Sequence, residues 1–125
     1  MEINIADKTV HAEILPAVRV TATGNGTGVD VKDWAGKAKF VLMSSAGGGT
    51  SPTLDVKLQD SADNSTWADI SGATFTQVTD AADADEAIGV DLDSADRYVR
   101  AVKTVSGTSP TFDCAVMMVG TKQVS

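Results

Sequence analysis

One cysteine, one histidine and two acidic clusters are the side chains of this 125-residue sequence best suited to chemistry. Nucleophilic catalysis needs a nucleophile, a positioned base and a group that orients the base. Cys114 and His11 are the single residues of their types, so neither a histidine cluster nor an intrachain disulfide can form. Cys114 lies in Phe112-Asp113-Cys114-Ala115-Val116, where alternation puts it on the face of Phe112 and Val116. That position reads as a buried structural thiol. The expectation is a non-enzymatic protein with no catalytic residue.

The acids Asp80, Asp83, Asp85 and Glu86 form one cluster, and Asp91, Asp93 and Asp96 form another. Oxygen-rich loops are what Ca²⁺ requires, but the EF-hand template fails at both. Counted from Asp91, position six is Asp96 where glycine is needed, and position twelve is Val102 where glutamate is needed. Counted from Asp80, positions three and five are Ala82 and Ala84. Both clusters read as solvated negative loops, and no metal and no cofactor is expected. Gly47-Gly48-Gly49 and the spaced Gly24, Gly26 and Gly28 lack the residues of a phosphate-binding loop and read as hairpin loops. Asn25-Gly26-Thr27 and Asn64-Ser65-Thr66 match the glycosylation sequon, a frequent chance match. Trp34, Trp67 and Tyr98 are too few for a generous sugar-stacking platform and read as core or near-core anchors.

Composition narrows the class. Hydrophobic residues make up 42% and charged residues 22%, as expected of a single globular domain rather than a disordered chain. The longest apolar runs, such as Ala115-Val116-Met117-Met118-Val119, are far too short to cross a bilayer. The first residues carry early acids and no basic segment followed by an apolar one, so no secretory signal is read. The formal net charge of −7 repels phosphate and anionic lipid, and neither nucleic acid nor membrane is an expected partner.

The elements read as strands. Leu54, Val56 and Leu58 alternate with Asp55, Lys57 and Gln59, a half-buried strand. The Asp60–Thr66 stretch turns the chain, and Trp67 and Ile70 resume the apolar pattern, with Trp67 as core anchor. Residues 38–44 form a near-continuous apolar run and read as a central strand, expected to pair with 54–60. Residues 97–105 and 112–119 are expected to form a second hairpin across Ser106-Gly107-Thr108-Ser109-Pro110. Residues 17–22 are β-rich, 88–92 alternate as a further strand, and a weaker strand is read at 75–78. About seven to eight strands with turn signals between them predict an all-β antiparallel β-sandwich, jelly-roll-like or immunoglobulin-like; an open barrel shares the pattern. Residues 17–125 form the sandwich. Residues 1–16 are either an N-terminal arm or the first strand, with a short helix also open. Ile3, Ile5, Ile14 and Leu15 are the candidate contacts of an arm with a neighbouring subunit.

The run Leu58-Gln59-Asp60-Ser61-Ala62-Asp63-Asn64-Ser65-Thr66-Trp67-Ala68-Asp69-Ile70, followed by Arg97-Tyr98-Val99-Arg100, resembles a group of small structural proteins of tailed bacteriophages. In these an L-Q-[DE]-S-x-D-[NG]-S-x-[WF]-x-D hairpin precedes an [RK]-Y-[VL]-R strand. The resemblance spans about residues 38–119. It implies a decoration (cement) protein on the capsid exterior, a virion component made in the host cytoplasm. Such a protein binds the major capsid protein as a homo-oligomer, a dimer or a trimer, and clamps neighbouring subunits. Similar hairpins occur in tail and fibre proteins, so a tail or baseplate subunit, or a module that binds host-surface glycans, is the alternative. No catalytic residues come with the resemblance.

Overall fold

A computed structural model describes residues 9–122 of the chain, and these form eight strands and no helix. The strands are β1 (Thr9–Val20), β2 (Gly24–Asn25), β3 (Val29–Asp30), β4 (Trp34–Ser44), β5 (Gly48–Ser61), β6 (Ala68–Thr74), β7 (Ala84–Asp91) and β8 (Tyr98–Lys122). Every strand pairing is antiparallel. The chain is therefore all-β, as its alternating pattern predicts.

The 25-residue β8 is the spine. Its C-terminal half pairs with β4 on one side and β1 on the other, and β7 extends β4, which makes a first sheet in the order β7-β4-β8-β1. Its N-terminal half pairs with β5 on one side and with β2 and β3 on the other, and β6 extends β5 to make the second sheet. Because one strand serves both sheets, the whole curls toward a barrel. The curl stops short at β6 and β7, which face each other across an open hollow of about 350 Å³ lined by Asp60, Asp69, Ile70, Val90 and Asp91.

Two expected pairings are corrected. Residues 38–44 pair with β7 and β8, not with 54–60. Residues 97–105 and 112–119 are not a hairpin but one continuous strand. The Gly/Ser/Pro signal between them marks a corner rather than a reversal. Gly107 (φ 117°) and Ser109 (φ 49°) on β8 stand against Gly49 (φ 98°) and Ser51 (φ 48°) on β5. The β5–β8 register slips between Gly48 and Thr50 and again between Thr50 and Thr53. Bulges with left-handed residues let two paired strands bend together and pass from one sheet to the other. The segment 46–52, which its glycines suggested was a flexible loop, is mostly part of this corner, with Pro52 fully buried.

The N-terminal choice between arm and first strand also receives a physical answer for the residues described. Thr9–Val20 is one strand of this chain's own sheet, crossing the expected boundary at residue 16. Ile14 and Leu15 are buried in the chain's own core, so they are not free to contact a neighbour. Register shifts between Glu13 and Leu15, and between Leu15 and Val18, are bulges that turn two consecutive side chains inward. Pro16, which lacks an N–H to donate, sits within them. Ile3 and Ile5 lie outside the described residues.

Between the sheets lies one core. Phe40, Leu42, Phe112, Val116 and Met118 from the first sheet meet Leu54, Val56, Leu58 and Val99 from the second, all nearly inaccessible to solvent. Their period-two spacing along β4, β5 and β8 is the alternation seen in the sequence.

Candidate functional site

The segments Leu58–Ile70 and Arg97–Arg100 lie side by side in the second sheet. β5 and β8 pair with Gln59 opposite Arg100, Asp60 opposite Val99 and Ser61 opposite Tyr98. The hairpin closes onto β6 with Gln59 opposite Asp69. Leu58, Val99 and Ala101 are buried, so Gln59 and Arg100 between them point outward.

These outward side chains form one connected patch. Arg100 Nε and Nη2 both donate to Gln59 Oε1, at 3.0 and 2.8 Å. Gln59 Nε2 donates at 2.8 Å to Asp69, whose carboxylate also pairs with Lys57 Nζ at 3.1 Å. The Arg100 guanidinium lies 4.3 Å from the centroid of the Trp67 ring, a cation–π stack. Trp67 is thus half-buried on the outer face and is not the core anchor expected of it. Donation from Gln59, then from Lys57, holds the Asp69 carboxyl below its ordinary range.

The turn between β5 and β6 is organised by Asp63. Its Oδ1 accepts the N–H groups of Thr66 and Ser65 at 2.9 Å each, and the Ser61 hydroxyl at 2.9 Å. Donation from Thr66, Ser65 and Ser61, in that order, holds the Asp63 carboxyl below its ordinary range. Asn64 takes φ 60°, a conformation asparagine tolerates. Gly28 packs against this turn: a Cβ there would collide with Asn64 Oδ1 and lie 2.9 Å from the Trp67 ring. The Gly24–Gly28 segment supports the turn, while β3 is tied by an Arg97–Asp30 pair at 2.9 Å to the residue just before the spine.

The other residues singled out by chemistry are dispersed. Cys114 is buried as its alternation predicts, and burial pushes its thiol pKa up, keeping it protonated and unreactive. Four of the seven cluster acids serve loop backbones. Asp83 accepts the N–H of Ala46, Glu86 that of Thr76, Asp91 that of Asp93, and Asp93 that of Gly36. No group of three or more metal-ligating side chains converges among the described residues. Trp34 is buried, and Tyr98 lies beside Arg97 with its ring centroid 5.1 Å from the guanidinium. His11 pairs with Val119 in the β1–β8 ladder, far along the spine from the patch.

Sequence reasoning missed a second surface, the outer face of the first sheet. Ala38, Phe40 and Leu42 are buried, which turns Lys39, Val41 and Met43 outward. Val116 and Met118 are buried, which turns Ala115, Met117 and Val119 outward. Met43, 46% exposed, is one of only two large hydrophobic side chains so open among the described residues; Val18 at 47% is the other. Both line a shallow hollow of about 430 Å³. The signal was present in the near-continuous apolar runs Phe40–Met43 and Cys114–Val119, a pattern that belongs to strands covered on both faces.

No protein-family model matches the chain, and no curated protein matches it.

Proposed function

We propose that this chain is a non-enzymatic structural protein of a tailed-phage virion, a decoration protein on the capsid exterior that binds the major capsid protein. The observation that carries this reading is the patch built by Gln59, Trp67, Asp69 and Arg100. The two segments of the resemblance, 41 residues apart at Gln59 and Arg100, form a single hydrogen-bonded unit. Such a motif works as a brace: it fixes a hairpin rigidly against the spine and leaves no reactive group. A stiff all-β domain with an acidic surface suits a load-bearing clamp, which must hold its shape while neighbouring subunits strain.

The patch argues against the glycan-binding alternative on a specific ground. Sugar stacks on a bare aromatic face, and Arg100 already occupies one face of Trp67. The other edge of the ring rests on Gly28.

Electron cryomicroscopy of purified particles carrying this protein tests the proposal. The expected result is hundreds of icosahedrally arranged copies on the outer shell. Density confined to the tail or baseplate rejects it. So does a protein that labels no particle but gives a specific signal on a glycan array.

A further inference from the structure

We propose that the free edge of β7 takes residues 2–6 of a second copy of this chain as an added antiparallel strand, with Ile3 and Ile5 turned inward beside the hollow between β6 and β7. This goes beyond the virion reading and does not depend on it.

A sheet edge recruits another strand unless something blunts it. β1 is interrupted by Pro16 and two register shifts, β2 and β3 have two residues each, and β6 carries a register shift and the left-handed Gly72. β7 runs eight residues with no shift and no proline. Just past its end the Leu92 N–H donates to Gly36 O, so the even-numbered residues of β7 are the ones bonded to β4. The N–H and C=O groups of Asp85, Ala87 and Gly89 therefore face away from β4, and no backbone group pairs with them among the described residues. Beside this edge lies the open hollow, with Ile70, Val90 and Ala95 as its apolar wall. The acids around it are engaged. Asp60 accepts the Asp96 N–H, Asp69 is held by Gln59 and Lys57, and Asp91 accepts the Asp93 N–H and the Ser94 hydroxyl.

The sequence ahead of β1 has the pattern of a strand for this edge: Ile3 and Ile5 alternate with Glu2, Asn4 and Ala6. The same molecule cannot supply it. β1 and β7 are the outer strands of the order β7-β4-β8-β1, so the place outside β7 is four strand spacings, about 19 Å, from Thr9. The four residues from Thr9 back to Ile5 span at most about 14 Å. The strand therefore comes from another copy.

Faces and charges set the register. With Glu2, Asn4 and Ala6 opposite Gly89, Ala87 and Asp85, Ile3 falls opposite Ile88 and Ile5 opposite Glu86, whose carboxylate is already held by Thr76. Nothing lies within 4 Å of where a Gly89 Cβ would be. Lys39, opposite Gly89 on β4 and without an ion-pair partner among the described residues, has room to reach across it to Glu2. A slip of one residue turns both isoleucines to the outer face. A slip of two in one direction sets Glu2 beside Asp91 and Asp7 beside Glu86; in the other it carries Ile3 away from the hollow.

The edge of one copy takes the segment of the next, so the contact is heterologous and builds rings or chains. One strand buries less than the roughly 800 Å² per partner of a stable complex, and main-chain hydrogen bonds carry the binding, so a Kd of about 100 µM is expected.

Sedimentation velocity of the full chain from about 10 µM to 1 mM brackets that Kd. The wild type is expected to pass from monomer to oligomers. Ala87→Pro removes an N–H that faces the free edge and none that faces β4, and is expected to raise the Kd about tenfold or more. Ile3→Asp/Ile5→Asp, made in one chain, is expected to do the same. A one-to-one mixture of the two variants should recover association as pairs, because one supplies an intact segment and the other an intact edge. Amide exchange of the wild type should slow about threefold at Ala87 and Gly89 across the concentration range, and not in the Ile3→Asp/Ile5→Asp protein. A wild type that stays monomeric at the top concentration overturns the proposal, and protection of Ala87 and Gly89 that arises only on capsid shells would give the edge to a shell segment instead. Association without slowed exchange at these two amides also overturns it, as does either variant associating normally or a mixture that stays monomeric. Circular dichroism confirms folding, and the exchange comparison keeps the test decisive if Ala87→Pro fails to fold.

Discussion

The outer faces of the two sheets are opposites, although one strand runs through both. On the second sheet the outward side chains of β5 and β8 are mostly polar, Asp55, Lys57, Gln59, Arg100 and Thr104 with Val102 among them, and the first four satisfy one another or reach the Asp69 carboxylate and Gln77. On the first sheet the outward side chains of β4 and β8 are largely Val41, Met43, Ala115, Met117 and Val119. The inner faces are equally apolar, so core formation does not explain the difference. A face whose polar groups are internally paired gains little from a partner, since docking would desolvate groups already satisfied. An apolar face gains from being covered. The contrast separates a surface that braces the fold from one that invites contact.

The largest expected effect comes from breaking what the two regions share. Phe112 sits where β8 passes between sheets and is wholly buried. Phe112→Ala should cost about 3–5 kcal/mol, the range for deleting a buried aromatic ring. Trp34 belongs to the first sheet and Trp67 to the second sheet's hairpin, so denaturant unfolding can be followed from each side in variants that keep only one tryptophan. Coincident transitions are expected, because neither sheet retains its central strand without β8. Two separated transitions would show that the sheets fold independently.

Next is the corner. Gly107→Ala should cost about 1–3 kcal/mol, since it places a side chain at φ 117° with its Cβ 2.7 Å from Ser51 O and 2.9 Å from Pro52 Cα. Backbone atoms on the partner strand cannot swing aside. Hydrogen exchange should show protection lost at residues 48–53 and 106–111, on both sides of the bend, before either sheet's far edge.

How legible all this was in the sequence depended on distance along the chain. The Leu54–Ile70 hairpin was readable because its alternation, its Asp/Asn/Ser turn and its return lie within one short span. Cys114 was placed on the correct face for the same reason. What failed was long-range pairing. Nothing local in Phe40–Ser44 says that its neighbours are β7 and β8 and not the next strand along. Ser106–Pro110 has the composition of a turn, and only its partner, the equally irregular Gly48–Pro52, makes it a corner. Ile14 and Leu15 look like adjacent apolar residues on an arm until the bulges beside Pro16 turn both inward. The brace was half legible: both segments stood out, but the Gln59–Arg100 bond spans 41 residues and no local rule predicts it.

A smaller effect sharpens the polar side of the contrast. Arg100→Ala removes two hydrogen bonds to Gln59 and the stack on Trp67. A loss of about 1 kcal/mol is expected, the usual worth of a partly exposed cation–π contact with its polar partners. Trp67 fluorescence should change as the ring gains solvent. An unchanged spectrum would mean that Arg100 does not shield the ring.

The smallest effect is a pH dependence, and it too divides the molecule unevenly. Asp30, Asp63 and Asp69, on or beside the second sheet, and Asp113 on the first are held below their ordinary carboxyl range. Hydrogen bonding is the leading cause in each: from Arg97 to Asp30, from Thr66 to Asp63, from Gln59 to Asp69 and from Arg19 to Asp113. A carboxyl whose folded pKa lies below its unfolded value stabilises the fold above the unfolded pKa. That contribution fades as pH falls through the folded pKa. Stability from these groups should therefore be complete above about pH 5 and decline below it, as an unfolded aspartate begins to protonate. Three of the four groups brace the second sheet, so amide protection in β5 and β6 should weaken in acid before protection in β4 and β7. Asp63→Asn removes the titration at the hairpin turn and should make the fall of Tm between about pH 5 and 2 shallower than in the wild type. An identical slope would mean that the Asp63 turn carries no charge-dependent stability, and that the bracing of this face resides in Gln59, Arg100 and Trp67.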